Sequence, residues 1–239
     1  MERSAKTVFW NGFRDAIPFI LVIVPFGTLF GVVGTEAGWN VAQVMAATFL
    51  VIAGASQFTA VALWADNTPL FFILLTSLAV NLRMAMYSAA LVPHFGKAPL
   101  GLRALLAYAI VDQNFAMGTK KYEEEPDLTW QEKVAYFIGM FVFIAPFWYT
   151  CTYLGAVFGA AIPESFALDF ATPILFIALI APLLRTLPNL VAALCSIVFA
   201  LALNEVPYSL GLIIAAVIAM VAGAQTELWL DRRSMASNG

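Results

Sequence analysis

Residues 44–64 read VMAATFLVIAGASQFTAVALW. A hydrocarbon core about 30 Å thick needs about 20 apolar residues to cross it as a helix, and this stretch has the length. Its midpoint breaks the pattern. Gly54 weakens a helix, and Ser56 and Gln57 carry side chains that demand hydrogen bonds lipid cannot supply. Two readings fit. Small residues let helices approach closely, and Ser and Gln bond across such contacts. Alternatively the helix unwinds near the bilayer midplane, which is tolerated only where the backbone is buried in protein or lines a wet cavity. An unwound helix offers amides at the start of one half and carbonyls at the end of the other. Those two poles suit a ligand with both an anionic and a cationic group. A similar string, AGAQTE at 222–227, suggests a second such element in the last segment.

The rest of the chain agrees that the solvent is lipid. Of 239 residues, 62% are hydrophobic and only 11% charged, against roughly 25% charged in a soluble domain. A net charge of −3 leaves no domain-scale basic surface for phosphates, so no nucleic-acid partner is expected. The N-terminus lacks the form of a cleaved secretory signal. Cys151 and Cys195 fall inside apolar runs, as small core residues do.

Apolar runs occur at 16–34, 42–64, 69–93, 134–161, 167–185, 187–203 and 207–229, and an eighth, 100–117, is interrupted by Asp112, Gln113 and Asn114. The expected fold is an all-α integral membrane protein: a helical bundle of seven to eight transmembrane segments, some of them broken. Residues 1–15 form a cytoplasmic N-terminal segment, 16–230 a single polytopic transmembrane domain and 231–239 a cytoplasmic tail. Thr68-Pro69 reads as a cap followed by a first-turn proline, and Thr129 with Glu132 as a capping box ahead of Val134. Pro25-Phe26 and Ala47-Thr48 are echoed by Pro146-Phe147 and Ala171-Thr172, a pattern of internal duplication known among transporters. Gly27-x-x-x-Gly31 and Gly155-x-x-x-Gly159 are close-packing faces.

Arg3, Lys6, Arg14, Lys120, Lys121, Lys133, Arg232 and Arg233 place both termini and loop 118–133 in the cytoplasm by the positive-inside rule. Glu36, Glu164 and Glu205 mark the opposite side. His94, Lys97 and Arg103 object, because eight full crossings would put them outside. Either that loop is an exception or the neighbouring interrupted segments do not cross fully. Arg185, near a helix end, is expected to snorkel to the interface.

Few strongly polar residues lie deep in apolar segments. Asn81 and Arg83 sit mid-run in the third, where an arginine costs at least about 2.5 kcal/mol on insertion scales. Arg83 must therefore face a polar interior, and Asp112 is the best acidic partner. The pair either only holds two helices together or lies on a substrate or ion path. Phe58, beside Gln57, is placed to line an apolar side-chain pocket. No phosphate-binding loop, no HExxH, no paired metal ligands and no serine nucleophile with a histidine occur, so neither enzyme activity nor a cofactor or metal is expected.

Taken together and in order, VPFGTLFGVV, AGASQF, NLRMAMYSA and VDQNFAM resemble the AzlC family of bacterial branched-chain amino acid permeases, through most of residues 10–230. The resemblance implies export of valine, leucine and isoleucine across the inner membrane, with a small multi-span partner of the AzlD type. The family's pattern falls on Gly54, Ala55, Ser56, Gln57, Asn81, Arg83, Asp112 and Phe115. Where the family often has Asp-Glu, this chain has Asp112-Gln113, so a two-carboxylate proton path is not carried over. The expected mechanism is a proton-coupled secondary transporter. Substrate would meet Gly54, Ala55, Ser56, Gln57, Phe58 and Asn81, with Arg83 and Asp112 as the switching pair. A membrane scaffold subunit and a passive channel are the alternatives.

Overall fold

The apolar runs form helices, and the two interrupted ones form pairs of half-helices. The computed structural model describes residues 4–159, 184, 186–206 and 210–237. The 167–185 run, Glu164, Arg185 and the Ala171-Thr172 echo lie outside the described residues. The helices are α1 (Ala5–Asp15), α2 (Ile20–Glu36), α3 (Val41–Leu50), α4 (Gly54–Ala65), α5 (Leu70–Phe95), α6 (Leu100–Tyr108), α7 (Asp112–Glu124), α8 (Trp130–Phe158), α9 (Leu187–Ala202) and α10 (Leu210–Ser237). A 3-10 turn at Ile17–Phe19 joins α1 to α2.

Among the described residues four stretches are long and apolar enough to cross a membrane: Ala5–Glu36, Leu70–Phe95, Trp130–Phe158 and Leu210–Arg233. With the two broken segments, α3–α4 and α6–α7, and the 16-residue α9, they account for every expected run inside the described residues.

The helix starts follow local chemistry. The Thr129–Glu132 capping box is present, each residue's side chain accepting the other's backbone N–H, at 2.8 and 3.3 Å. Asn40 and Gln43 form a second box at the start of α3, unnoticed in the sequence. Pro69 stands one residue before α5, its carbonyl accepting from the amides of Phe72 and Ile73.

Two compact units divide the chain: Met1–Ala62 with Val80–Pro163, and Leu63–Ala79 with Glu164–Gly239. The second contains α9 and α10. Here the expectation for AGAQTE fails: α10 runs unbroken through 222–227. Its glycine serves helix contact, since a Cβ on Gly223 would lie 3.1 Å from that of Ala192 on α9.

The first unit is built on α8. A Cβ on Gly12 would strike the backbone of Tyr136, and one on Gly139 that of Phe9. Higher up, Gly31 abuts the backbone of Thr152, and Gly155 that of Thr28. In each pair a glycine meets the residue three positions before its counterpart, as a two-fold axis between two parallel helices would produce. The glycine faces read in the sequence are thus pressed against each other.

Contacts within the first unit also fix the direction of the helices between α2 and α8. α5 ends with His94 Nδ1 3.3 Å from Lys133 Nζ and Phe95 stacked edge-on to Phe137 at 5.2 Å, so it finishes where α8 begins. α3 starts beside the end of α2, with Val44 on Gly34, and runs to Trp148, which holds Thr48; α4 then turns back, so that Phe58 reaches Phe30. The intervening α3–α4 therefore enters and leaves by one face. The α6–α7 segment does the same from the other: α7 returns until the Tyr122 hydroxyl donates to the Lys133 carbonyl at 2.8 Å. Two half-helix hairpins thus enter from opposite faces, and His94, Lys97 and Arg103 share the face of Lys133. The interrupted segments do not cross fully, which removes the conflict with the charge rule.

Candidate functional site

The first hairpin tip is the extended stretch 51–53, with Val51 at φ −135°, ψ 91°. The helix restarts at Gly54, and the first ladder bond runs from the Gln57 amide to the Ala53 carbonyl at 3.0 Å. Glycine leaves room at this restart for the Trp148 indole: an added Cβ would sit 3.2 Å from the ring, a tight contact. The same indole donates its N–H to Thr48 Oγ at 2.7 Å, so one α8 side chain holds both halves of the break. Thr59 Oγ donates to the Ala55 carbonyl one turn on. Ser56, Gln57 and Phe58 are all buried, at 5%, 4% and 4% exposure. Phe58 packs edge-on to Phe26 and Phe30, with ring centres 6.1 and 5.7 Å away. Both polar atoms of the Gln57 amide are buried without a hydrogen-bond partner.

The second tip spans residues 109–111, with Val111 extended at φ −131°, ψ 162°. Asn114, fully buried, donates from Nδ2 to the freed Ala109 carbonyl at 3.1 Å and to the Phe137 carbonyl at 3.4 Å. Asp112 opens α7, where the helix dipole favours an acid. Its Oδ2 lies 3.0 Å from Arg83 Nη2, and its Oδ1 accepts from the Tyr87 hydroxyl at 3.2 Å. The Tyr87 ring stacks on Phe115 with centres 4.0 Å apart. Arg83 and Asp112 are 27% and 35% exposed, so the pair is reachable rather than sealed. Asn81, two residues earlier on α5, has a buried Oδ1 with no partner.

The tips meet through tyrosines. The Tyr108 hydroxyl donates to the Phe49 carbonyl at 2.8 Å and lies 2.6 Å from that of Tyr149. With its one proton given to Phe49, Tyr108 accepts from Tyr149. Phe49 and Tyr149 rings stand 4.3 Å apart.

The sequence-derived residues thus fall into two groups: Gly54, Ala55, Ser56, Gln57 and Phe58 at one tip, and Arg83, Asp112 and Phe115 at the other, with Asn81 on the helix that carries Arg83. Sequence reasoning missed Tyr87, Tyr108, Asn114, Trp148 and Tyr149. Asn114 could have been found, since a polar side chain inside an apolar run must satisfy itself locally. The aromatics gave no signal in a chain with 20 Phe, 7 Tyr and 6 Trp.

Four membrane-length apolar helices among the described residues and two broken segments, one of them carrying a partly exposed arginine–aspartate pair, define a polytopic helical membrane protein. The chain belongs to the AzlC family: the family profile described as "AzlC protein" matches residues 18–162, which include both tips and the ion pair. It is 26% identical over 179 residues to "Inner membrane protein YgaZ" of Escherichia coli, covering 72% of each chain. It is also 26% identical over 186 residues to an uncharacterized membrane protein of Archaeoglobus fulgidus, covering 76% of this chain and 78% of that one. A membrane protein of Helicobacter pylori is 28% identical over 113 residues, 46% of this chain and 49% of its own. No solved structure matches. The family is consistent with a transport-related role.

Proposed function

We propose that this chain is a secondary transporter that exports branched-chain amino acids across the inner membrane, coupled to protons and working with a small membrane partner. The observation that carries this reading is Gln57: a buried primary amide at the start of a half-helix, with neither its N–H nor its carbonyl satisfied. Buried polar groups without partners cost about 1–3 kcal/mol, and a ligand or water supplies what the protein withholds. The substrate's carboxylate meets Gln57, Ser56 and the amides of the first turn of α4, where the dipole is positive. The matching end of α7 is already neutralised by Asp112. The ammonium group turns to the carbonyl end of α3 and to Asp112, and the aliphatic side chain lies along Phe58.

Asp112 and Arg83 act as the switch. A proton taken up by Asp112 cancels its charge and loosens Arg83; its release restores the pair. Alternation of these two states exposes the tips to one face and then the other.

The test is efflux of labelled leucine from vesicles reconstituted with the chain and its partner. Wild type empties them fastest, while Gln57→Leu, Arg83→Ala and Asp112→Asn slow the loss about tenfold or more, the effect of removing a hydrogen bond to a charged group. Equal leakage from all four assigns the chain a scaffolding role instead.

A further inference from the structure

Between the last turns of α5 and the start of α6 runs a half-open cavity of about 100 Å³. Its floor is apolar and buried, formed by Leu91, Phe95, Leu106 and Ile110. Its rim is low at Ser88, Gly96 and Ala107, and Arg103 stands at one end. Arg103 and the neighbouring Lys97 are exposed, and no carboxylate among the described residues pairs with either. They lie on the face shared with Lys133.

A groove of this size is too narrow for a helix, whose diameter with side chains is about 10–12 Å. It does accept a single hydrocarbon chain. The cations at its mouth select the sign of what is attached to that chain, since basic pockets beside transmembrane helices take lipid phosphates on the cytoplasmic side. We infer that the α5–α6 groove is a binding site for one anionic phospholipid, with an acyl chain over Leu91, Leu106 and Ile110 and its phosphate on Arg103. A lipid held there would brace the α6 half-helix, which enters the membrane without crossing it.

Native mass spectrometry of the detergent-purified full chain, equilibrated with equal amounts of dioleoyl-phosphatidylglycerol and dioleoyl-phosphatidylcholine, tests this. Wild type retains one phosphatidylglycerol in preference to phosphatidylcholine. Arg103→Gln lowers that preference roughly fivefold, as loss of one basic residue at an anionic headgroup predicts. Ala107→Trp, which fills the groove, lowers retention of both lipids, and Lys6→Gln leaves the ratio unchanged. An unchanged ratio in Arg103→Gln overturns the proposal. So does a second copy or another membrane protein bound in place of lipid and lost in Ala107→Trp.

Discussion

A side chain buried for function and one buried for stability respond oppositely to replacement, and Gln57 separates the two. Its amide has no partner in the folded chain, so exchanging it for the apolar Met should raise detergent-phase stability by about 1 kcal/mol. The substrate response should move the other way. Leucine at a hundred times its dissociation constant stabilises a binding protein by about 2.7 kcal/mol, and Gln57→Met should lose most of that gain. A thermal unfolding series with and without leucine measures both; destabilisation with the leucine response intact would show that Gln57 is a packing residue. Gln57, Arg83 and Asp112 were legible in the sequence because each is polar in a lipid-facing context. Tyr87 was not, since its role depends on reaching Asp112 across 25 positions.

Among the elements, the two breaks share one construction. A short apolar stretch forms each tip, 51–53 and 109–111, and the next helix opens on small or polar residues, GASQ or DQNF. The sequence marks the restart rather than the break: polar side chains serve the unsatisfied amides of a first turn, while the tip residues look like ordinary helix. Position therefore shifted by one to three residues, although the existence of the break was readable. By the same rule AGAQTE read as a break, yet α10 is continuous, because Gly223 answers to α9 rather than to a helix end. Trp148 fastens the first break, so Trp148→Phe, which removes the N–H to Thr48 and the indole edge lying against Gly54, should cost about 1 kcal/mol for the hydrogen bond and more for the lost packing. Thr48→Val should cost about 1 kcal/mol, and the double variant little beyond Trp148→Phe alone. Fully additive losses in a double-mutant cycle of unfolding free energies would mean that the two groups act independently. At the α2–α8 crossing the effect is larger: Gly155→Val drives a side chain into the Thr28 backbone and should prevent accumulation of folded protein in the membrane, measured by detergent-extracted yield. A normal yield would contradict the close crossing.

For the whole molecule, the decisive feature is that opposed hairpins, rather than continuous helices, bring the candidate site together. Composition revealed a membrane protein, but only contacts within the first unit showed which segments turn back. The positive-inside rule makes the face with Lys97, Arg103 and Lys133 the expected cytoplasmic one. A cysteine at Lys97 should therefore resist a membrane-impermeant maleimide in intact cells and react in inverted vesicles, together with one at Lys120. Labelling of the Lys97 position in intact cells would instead mean that α3–α4 and α6–α7 cross completely. In the proposed mechanism the polar tips form a site whose Asp112 couples movement of a zwitterion to a proton. Imposing a pH gradient on vesicles holding the chain and its partner, with labelled leucine at equal concentration on both sides, tests it most directly. Leucine should accumulate uphill against the proton flow with wild type and stay level with Asp112→Asn; wild-type flux that only equilibrates, or accumulation undiminished in Asp112→Asn, would contradict it.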